Sequence, residues 1–283
     1  MAADAGVQPE KQAGNSSLRL RVISAAVLSP IVLGLVWWGG LPFLALLAIV
    51  GPIMVSEWAS LIAPDGEARA EVWGLSLAIL IMLVGLAFED LGAGTVLALA
   101  IVVLTAAIAL WRNKSPVRVL WGAAYVGLAV LAFAWLRTDP VYGLIALIWL
   151  LGIVWATDIC AYFAGRSIGG PKLAPRLSPN KTWAGLIGGV VGAVLVGVLT
   201  GFWLETNSVL LGLISGGLAV LSQAGDVTES SLKRRAGVKD SGALIPGHGG
   251  ILDRVDGLMF AAVGAALIAF VRGGGAEGIL LWP

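Results

Sequence analysis

WAGLIGGVVGAVLVGVLTGFWL, residues 183–204, carries no charged side chain and is long enough to cross a hydrocarbon core ~30 Å thick. Only a helix satisfies such a stretch in lipid, where an unpaired backbone N–H or C=O finds no partner. Outward from it, comparable apolar runs lie near Val22–Trp38, Leu41–Ile62, Val72–Phe88, Ala93–Trp111, Leu120–Leu136, Val141–Phe163, Val209–Gln223 and Leu258–Val271. The 283 residues are 58% hydrophobic and 12% charged, against roughly a quarter charged in soluble domains, so most of the surface must face lipid. The expected fold is an all-α polytopic membrane protein of about nine transmembrane helices.

The cations test that count. With the N-terminus in the cytosol, every Lys and Arg except Arg137 and Arg272 falls on one side, the pattern expected of cytosolic loops. A wrong span count would scramble this division for every later loop. The reading gives a polar N-terminal tail over 1–21, disordered at its start, and the first apolar run as a retained anchor. N-terminal transmembrane helices then cover 22–140. A C-terminal catalytic region covers 141–283, with cytosolic loops at 165–182 and 227–255. Glu57, Asp158 and Asp226 each come near the end of an outside-to-inside helix, so they can converge at the cytosolic surface. Gly188 and Gly192, Gly197 and Gly201, Gly212 and Gly216 have helical spacing that lets helices approach closely. Packing within the bundle is the plainer use of these faces, and a homodimer stays open.

The polar residues gather in one segment: Ser230-Ser231-Leu232-Lys233-Arg234, Lys239-Asp240, Pro246-Gly247-His248-Gly249-Gly250 and Asp253-Arg254-Val255-Asp256. Carboxylates hold hard cations, Lys and Arg neutralise phosphate, and glycine lets backbone N–H groups close on an anion. With Cys160 the only cysteine and His248 the only histidine, a disulfide within the chain and a Cys- or His-rich zinc site are excluded. A metal would sit on oxygen ligands, as magnesium or calcium does. Asp226, Asp253 and Asp256 are the stronger metal set, the last two being spaced to share one face of a helix start. Asp158, after Trp155-Ala156-Thr157, makes a polar notch at a helix end, with capping as the bland alternative. His248 reads as a nucleotide or pyrophosphate contact. Lys181, Lys233, Arg234, Lys239 and Arg254 are candidates to neutralise phosphates, and some of them to meet anionic lipid instead. P-loop, dinucleotide and nucleophile-elbow patterns are absent, as is the Asp-Gly-x2-Ala-Arg pattern of enzymes that use CDP-alcohols.

From Ser230 to Asp256 the segment resembles the signature of the phosphatidate cytidylyltransferases, the CDP-diacylglycerol synthases. Asp158 to Gly165 and Ser178-Pro179-Asn180-Lys181-Thr182-Trp183 resemble the family's other polar region; the N-terminal half is similar only as unspecific hydrophobic segments. The resemblance implies transfer of a cytidylyl group from CTP to phosphatidic acid, giving CDP-diacylglycerol and pyrophosphate for phospholipid biosynthesis. It implies magnesium, with a second monovalent or divalent cation beside it. It carries Asp226 and Asp253 over as metal ligands, with Asp158, Asp256 and Lys239 in the catalytic cavity. Ser178, Lys181, Lys233, Arg234, His248, Gly249, Gly250 and Arg254 become substrate contacts. The implied partners are CTP, phosphatidic acid and the bilayer, without nucleic acid. The implied location is a bacterial-type inner membrane, with the site facing the cytosol. Cys160 departs from a usual glycine or alanine, and Ala184 from a usual acidic or amide residue. A CTP-dependent lipid kinase of the dolichol or phytol type is the nearest alternative and a secondary transporter the more distant one.

Overall fold

A computed structural model describes residues 10–63, 66–89 and 91–283, with the backbone course alone for 10–21 and 91. Met1–Pro9 of the expected tail lie outside the described residues, and helix α1 (Glu10–Trp38) already runs through the rest of it. There follow α2 (Gly40–Ile62), α3 (Arg69–Ala87), α4 (Leu91–Trp111) and α5 (Pro116–Gly122). A π-helical turn at Ala123–Gly127 joins α5 to α6 (Leu128–Thr138), and α7 (Gly143–Ser167) comes next. A hairpin of β1 (Lys172–Ala174) and β2 (Ser178–Thr182) leads into α8 (Trp183–Trp203), α9 (Ser208–Arg235), α10 (Leu252–Val271) and the short α11 (Ala276–Leu280). Among the described residues, eight helical segments are long and apolar enough to cross a membrane, and the apolar part of α1, Val22–Trp38, is shorter. The chain is an all-α polytopic membrane protein with one small hairpin.

Neighbouring helices pack in sequence: α7 on α8, α8 on α9, α9 on α10, with α10 closing back on α6 and α7. The predicted small-residue faces make these contacts inside the chain. A Cβ on Gly192 would sit 2.5 Å from Cys160 Sγ, and one on Gly197 would sit 2.6 Å from Leu211 O and 2.2 Å from Ser215 Oγ. Both exceptions to the charge asymmetry cap backbone. Arg137 donates to Val36 O at 2.7 Å and Trp37 O at 2.9 Å, where α1 ends at Gly39 (φ 70°). Arg272 donates to Gly278 O and Leu281 O, each at 2.7 Å, and stacks on Trp282.

The structure departs from the expected loops. The span expected to end at Gln223 continues as α9 to Arg235, because the residues beyond it keep helical spacing while turning polar. Lys233, Arg234 and Arg235 in its last turn favour the negative end of the helix dipole. The last span begins at Leu252, not Leu258, so the loop expected at 227–255 contracts to 236–251. The loop expected at 165–182 starts inside α7 and then forms the hairpin, pairing Lys172 with Thr182 and Ala174 with Ser178. Thr182 ends the hairpin and caps α8, its Oγ1 accepting the Gly185 N–H at 3.0 Å.

Gly197→Val places a branched side chain where Leu211 O and Ser215 Oγ stand. It should destabilise the α8–α9 pair by about 1–3 kcal/mol, read as a lower unfolding temperature in detergent.

Candidate active site

The convergence of α7, α9 and α10 begins with two glycines. A Cβ on Gly225 would lie 2.5 Å from Asp256 O, and one on Gly257 would lie 2.5 Å from Ser222 Oγ, so α9 and α10 touch backbone to backbone at this level. The contact brings the polar face of α9 against the first turns of α10. Asp226, Glu229, Ser230 and Lys233 recur on α9 at three- and four-residue intervals, hence on one face.

One network joins α7 to α9. Gln223 Nε2 donates to Asp158 Oδ1 at 3.4 Å, while its Oε1 accepts from Lys181 Nζ at 2.9 Å. The same ammonium pairs with Asp226 Oδ2 at 2.5 Å, and Ser230 Oγ donates to Asp226 Oδ1 at 3.3 Å. Lys181 stands at the end of β2, directly before the Thr182 cap, so the hairpin and the start of α8 position it.

A second network joins α9 to α10 and to the loop between them. Lys233 Nζ reaches Glu229 Oε2 at 3.1 Å and Asp253 Oδ1 at 2.7 Å. Asp253 Oδ2 accepts from Ser241 N at 2.8 Å, Ser241 Oγ at 2.9 Å and Gly250 N at 2.9 Å. Glu57 of α2, only 7% exposed, then caps α10: Oε1 accepts Ile251 N–H at 2.9 Å and Oε2 accepts Leu252 N–H at 2.8 Å. Ser241 Oγ also lies 3.3 Å from Glu57 Oε2, and Ser24 of α1 donates to Pro246 O at 2.9 Å. The glycines of the turn permit this wrapping. Gly249 has φ +85°, and a Cβ on Gly250 would lie 2.2 Å from Ser241 Oγ and 2.7 Å from Glu57 Cδ.

Between the networks, the Asp256 side chain lies within hydrogen-bonding distance of Glu229 and within charge–charge reach of Asp226, and Asp158 lies within reach of Asp226 and Asp256. Glu229 is fully buried and its Oε1 accepts from no donor among the described residues. Oxygen acceptors therefore outnumber the N–H and O–H donors facing them. Such an excess fits a hard cation, and the ammonium groups of Lys181 and Lys233 already mark two cation positions. Among the described residues no three His, Cys, Asp or Glu side chains form a ready group of metal ligands.

The predicted residues divide accordingly. Asp158, Lys181, Asp226, Lys233, Asp253 and Asp256 are brought together. Gly250 serves the cluster through its N–H, held by Asp253. Arg234, Lys239 and Arg254 are exposed at its edge, and Ser178 opens β2. His248 sits in the turn with its backbone N–H on Ile245 O at 2.9 Å and a buried Nδ1 that has no partner among the described residues. Gln223, Glu229 and Ser241 were missed as site residues. The first two had a signal in the helical spacing past Gln223. Glu57 was placed at the right end of its helix, but its partners lie 194 and 195 residues away, and no local pattern announces them.

Residues 19–271 match the profile of the cytidylyltransferase family. The phosphatidate cytidylyltransferase of Brucella melitensis biotype 1 is 42% identical over 264 residues, covering 87% of this chain and 91% of the relative. That of Pseudomonas aeruginosa is 38% identical over 273 residues, covering 92% and 99%. That of Bacillus subtilis is 42% identical over 142 residues, about half of either chain (49% and 52%). A polytopic bundle with a carboxylate–lysine site at one end, so matched over most of its length, belongs to the cytidylyltransferase family.

Glu57→Ala strands the Ile251 and Leu252 N–H groups and should cost about 1–3 kcal/mol of stability. Trypsin should then cut at Lys239 faster than in the wild type, while Glu57→Gln, which keeps one acceptor, should fall between the two.

Proposed function

We propose that the protein transfers the cytidylyl group of CTP to phosphatidic acid, releasing pyrophosphate and leaving CDP-diacylglycerol in the membrane. The observation that carries this reading is the alternation of carboxylate and ammonium across Asp158, Lys181, Asp226, Glu229, Lys233 and Asp253 at one end of the bundle. An anionic phosphate can replace a carboxylate on either lysine, and the released carboxylate can take a cation. The named relatives and the signature match favour cytidylyl transfer over a CTP-dependent lipid kinase.

On this reading an oxygen of the lipid phosphate attacks the α-phosphorus of CTP in line with the departing pyrophosphate, so no side-chain nucleophile is required. Lys181 and Lys233 hold phosphate oxygens from the two ends of this polar face of α9. Arg234, Lys239 and Arg254 neutralise the triphosphate at the aqueous edge, with Ser178 and His248 as further contacts and Gly249 permitting a close approach. Asp158 and Asp256 line the cavity. Asp226 and Asp253 would hold Mg2+, Asp253 by exchanging Lys233 from Oδ1. Bound there, the ion would supply charge neutralisation to the phosphates; a second cation would fit beside Asp158 and Asp256. The proposed topology has nine spans with the N-terminus and the site in the cytosol of a bacterium, where CTP is made.

Purified protein given phosphatidic acid, Mg2+ and labelled CTP should form CDP-diacylglycerol and pyrophosphate in equal amounts. Release of CDP with a newly phosphorylated lipid would instead identify a kinase. Asp226→Asn should lower turnover by at least about 100-fold while unfolding like the wild type. For the topology, cysteines at Lys172 and Ala243, placed in a Cys160→Ala background, should react with an impermeant maleimide only when the cytosolic face is open. Reaction of either in intact cells would reverse the assignment.

A further inference from the structure

Tyr125 lies in the π-helical turn Ala123–Gly127, between α5 and α6. Such turns are rare and concentrate at functional sites, because the widened backbone redirects a side chain that a regular helix would aim elsewhere. The ring lies nearly parallel to Trp121 and edge-on to Phe260 of α10, each with centroids 6.2 Å away. Phe260 is one turn beyond Asp256, so the phenol stands at the inner end of the carboxylate cluster. The residue is 5% exposed, and its hydroxyl meets no hydrogen-bond partner among the described residues. Phenylalanine would make the same ring contacts without burying a dry hydroxyl. Packing alone therefore does not account for the tyrosine.

Glu229 Oε1, a buried acceptor that meets no donor among the described residues, belongs to the α9 turn beyond Gly225, where an added Cβ would lie 3.0 Å from Phe260 Cδ2. Glu229, Asp256, Asp253 and Asp226 all lie within electrostatic reach of the phenol. A hydroxyl without an acceptor and the α9 turn that carries a carboxylate oxygen without a donor are thus both packed at the ring of Phe260. In the resting protein Lys233 serves both Glu229 and Asp253. Once Lys233 turns to a substrate phosphate, Glu229 loses the donor on its Oε2, and a buried carboxyl that loses a hydrogen-bond partner keeps its place only if another donor takes over.

We propose that Tyr125 is a positioning residue: in the loaded enzyme its hydroxyl donates to Glu229 Oε1 and holds that carboxylate while Lys233 is engaged elsewhere. This rests on the cytidylyl-transfer reading of the site. It gives the N-terminal half a direct part in the reaction, through a residue outside both polar blocks of the sequence.

The test compares Tyr125→Phe, Glu229→Gln and the double variant with the wild type under one assay. Tyr125→Phe should lower kcat/KM for CTP about tenfold or more, as loss of a supporting hydrogen bond does at other sites. It should also shrink the rise in unfolding temperature that CTP with Mg2+ produces, without lowering the unfolding temperature of the unliganded protein. The double variant should be no worse than Glu229→Gln alone. A wild-type kcat/KM and a wild-type CTP-induced rise in Tyr125→Phe would overturn the proposal, as would a lowered unliganded unfolding temperature or losses that multiply in the double variant. If Glu229→Gln fails to fold, Tyr125→Phe alone decides the matter. If the wild type itself makes no CDP-lipid, the activity reading fails, and the CTP-induced rise still decides the role of Tyr125.

Discussion

Two backbone N–H groups at the start of α10, those of Ile251 and Leu252, are held by a carboxylate from the far end of the sequence. A helix N-terminus leaves its first N–H groups without intrahelical partners, and burial makes that costly. Glu57 answers this need from α2, and the position of the whole turn before α10 follows. Ser241 bridges Glu57 and Asp253, Gly250 closes over both, and Asp253 in turn holds Lys233. The N-terminal helices are therefore structural partners of the C-terminal half and not simply its anchor.

The contact between α9 and α10 supplies the other half of the arrangement. Gly225 and Gly257 let two backbones meet where side chains would otherwise hold the helices apart. Carboxylates flank that contact on both helices, so their mutual repulsion is built into the packing. It is offset by two lysines, one from the hairpin and one from α9 itself. The bundle can thus bring negative groups together because its helix seam is made of small residues at the level of the carboxylates themselves.

Much of this was legible in the sequence, and the limits were physical. Apolar runs marked the membrane-crossing helices, since lipid enforces length and composition locally. The polar segment from Ser230 to Asp256 marked the site, since charges are rare in such a chain. The end of α9 was misplaced because hydropathy falls after Gln223 while helical geometry continues. The early start of α10 was missed because its cap comes from Glu57, and a contact across 194 residues has no local signature. The hairpin at 172–182 was read as a loop because its strands are short and polar, with nothing apolar to alternate. Tyr125 was invisible for a related reason: a π-helical turn has no composition of its own, and the residue stands in an otherwise ordinary apolar run.

The pairing of Lys181 with Asp226 and of Lys233 with Asp253 has a consequence for how ligands enter. Each lysine is already occupied by an anion belonging to the protein, which acts as an internal competitor for any incoming phosphate. Binding is then an ion exchange and not a simple addition. A weakly charged ligand cannot displace a tethered carboxylate, whereas a triphosphate arriving with a cation can, because the cation takes up the carboxylate that the lysine releases. Such self-competition lowers affinity for everything and lowers it least for the ligand that brings both charges together.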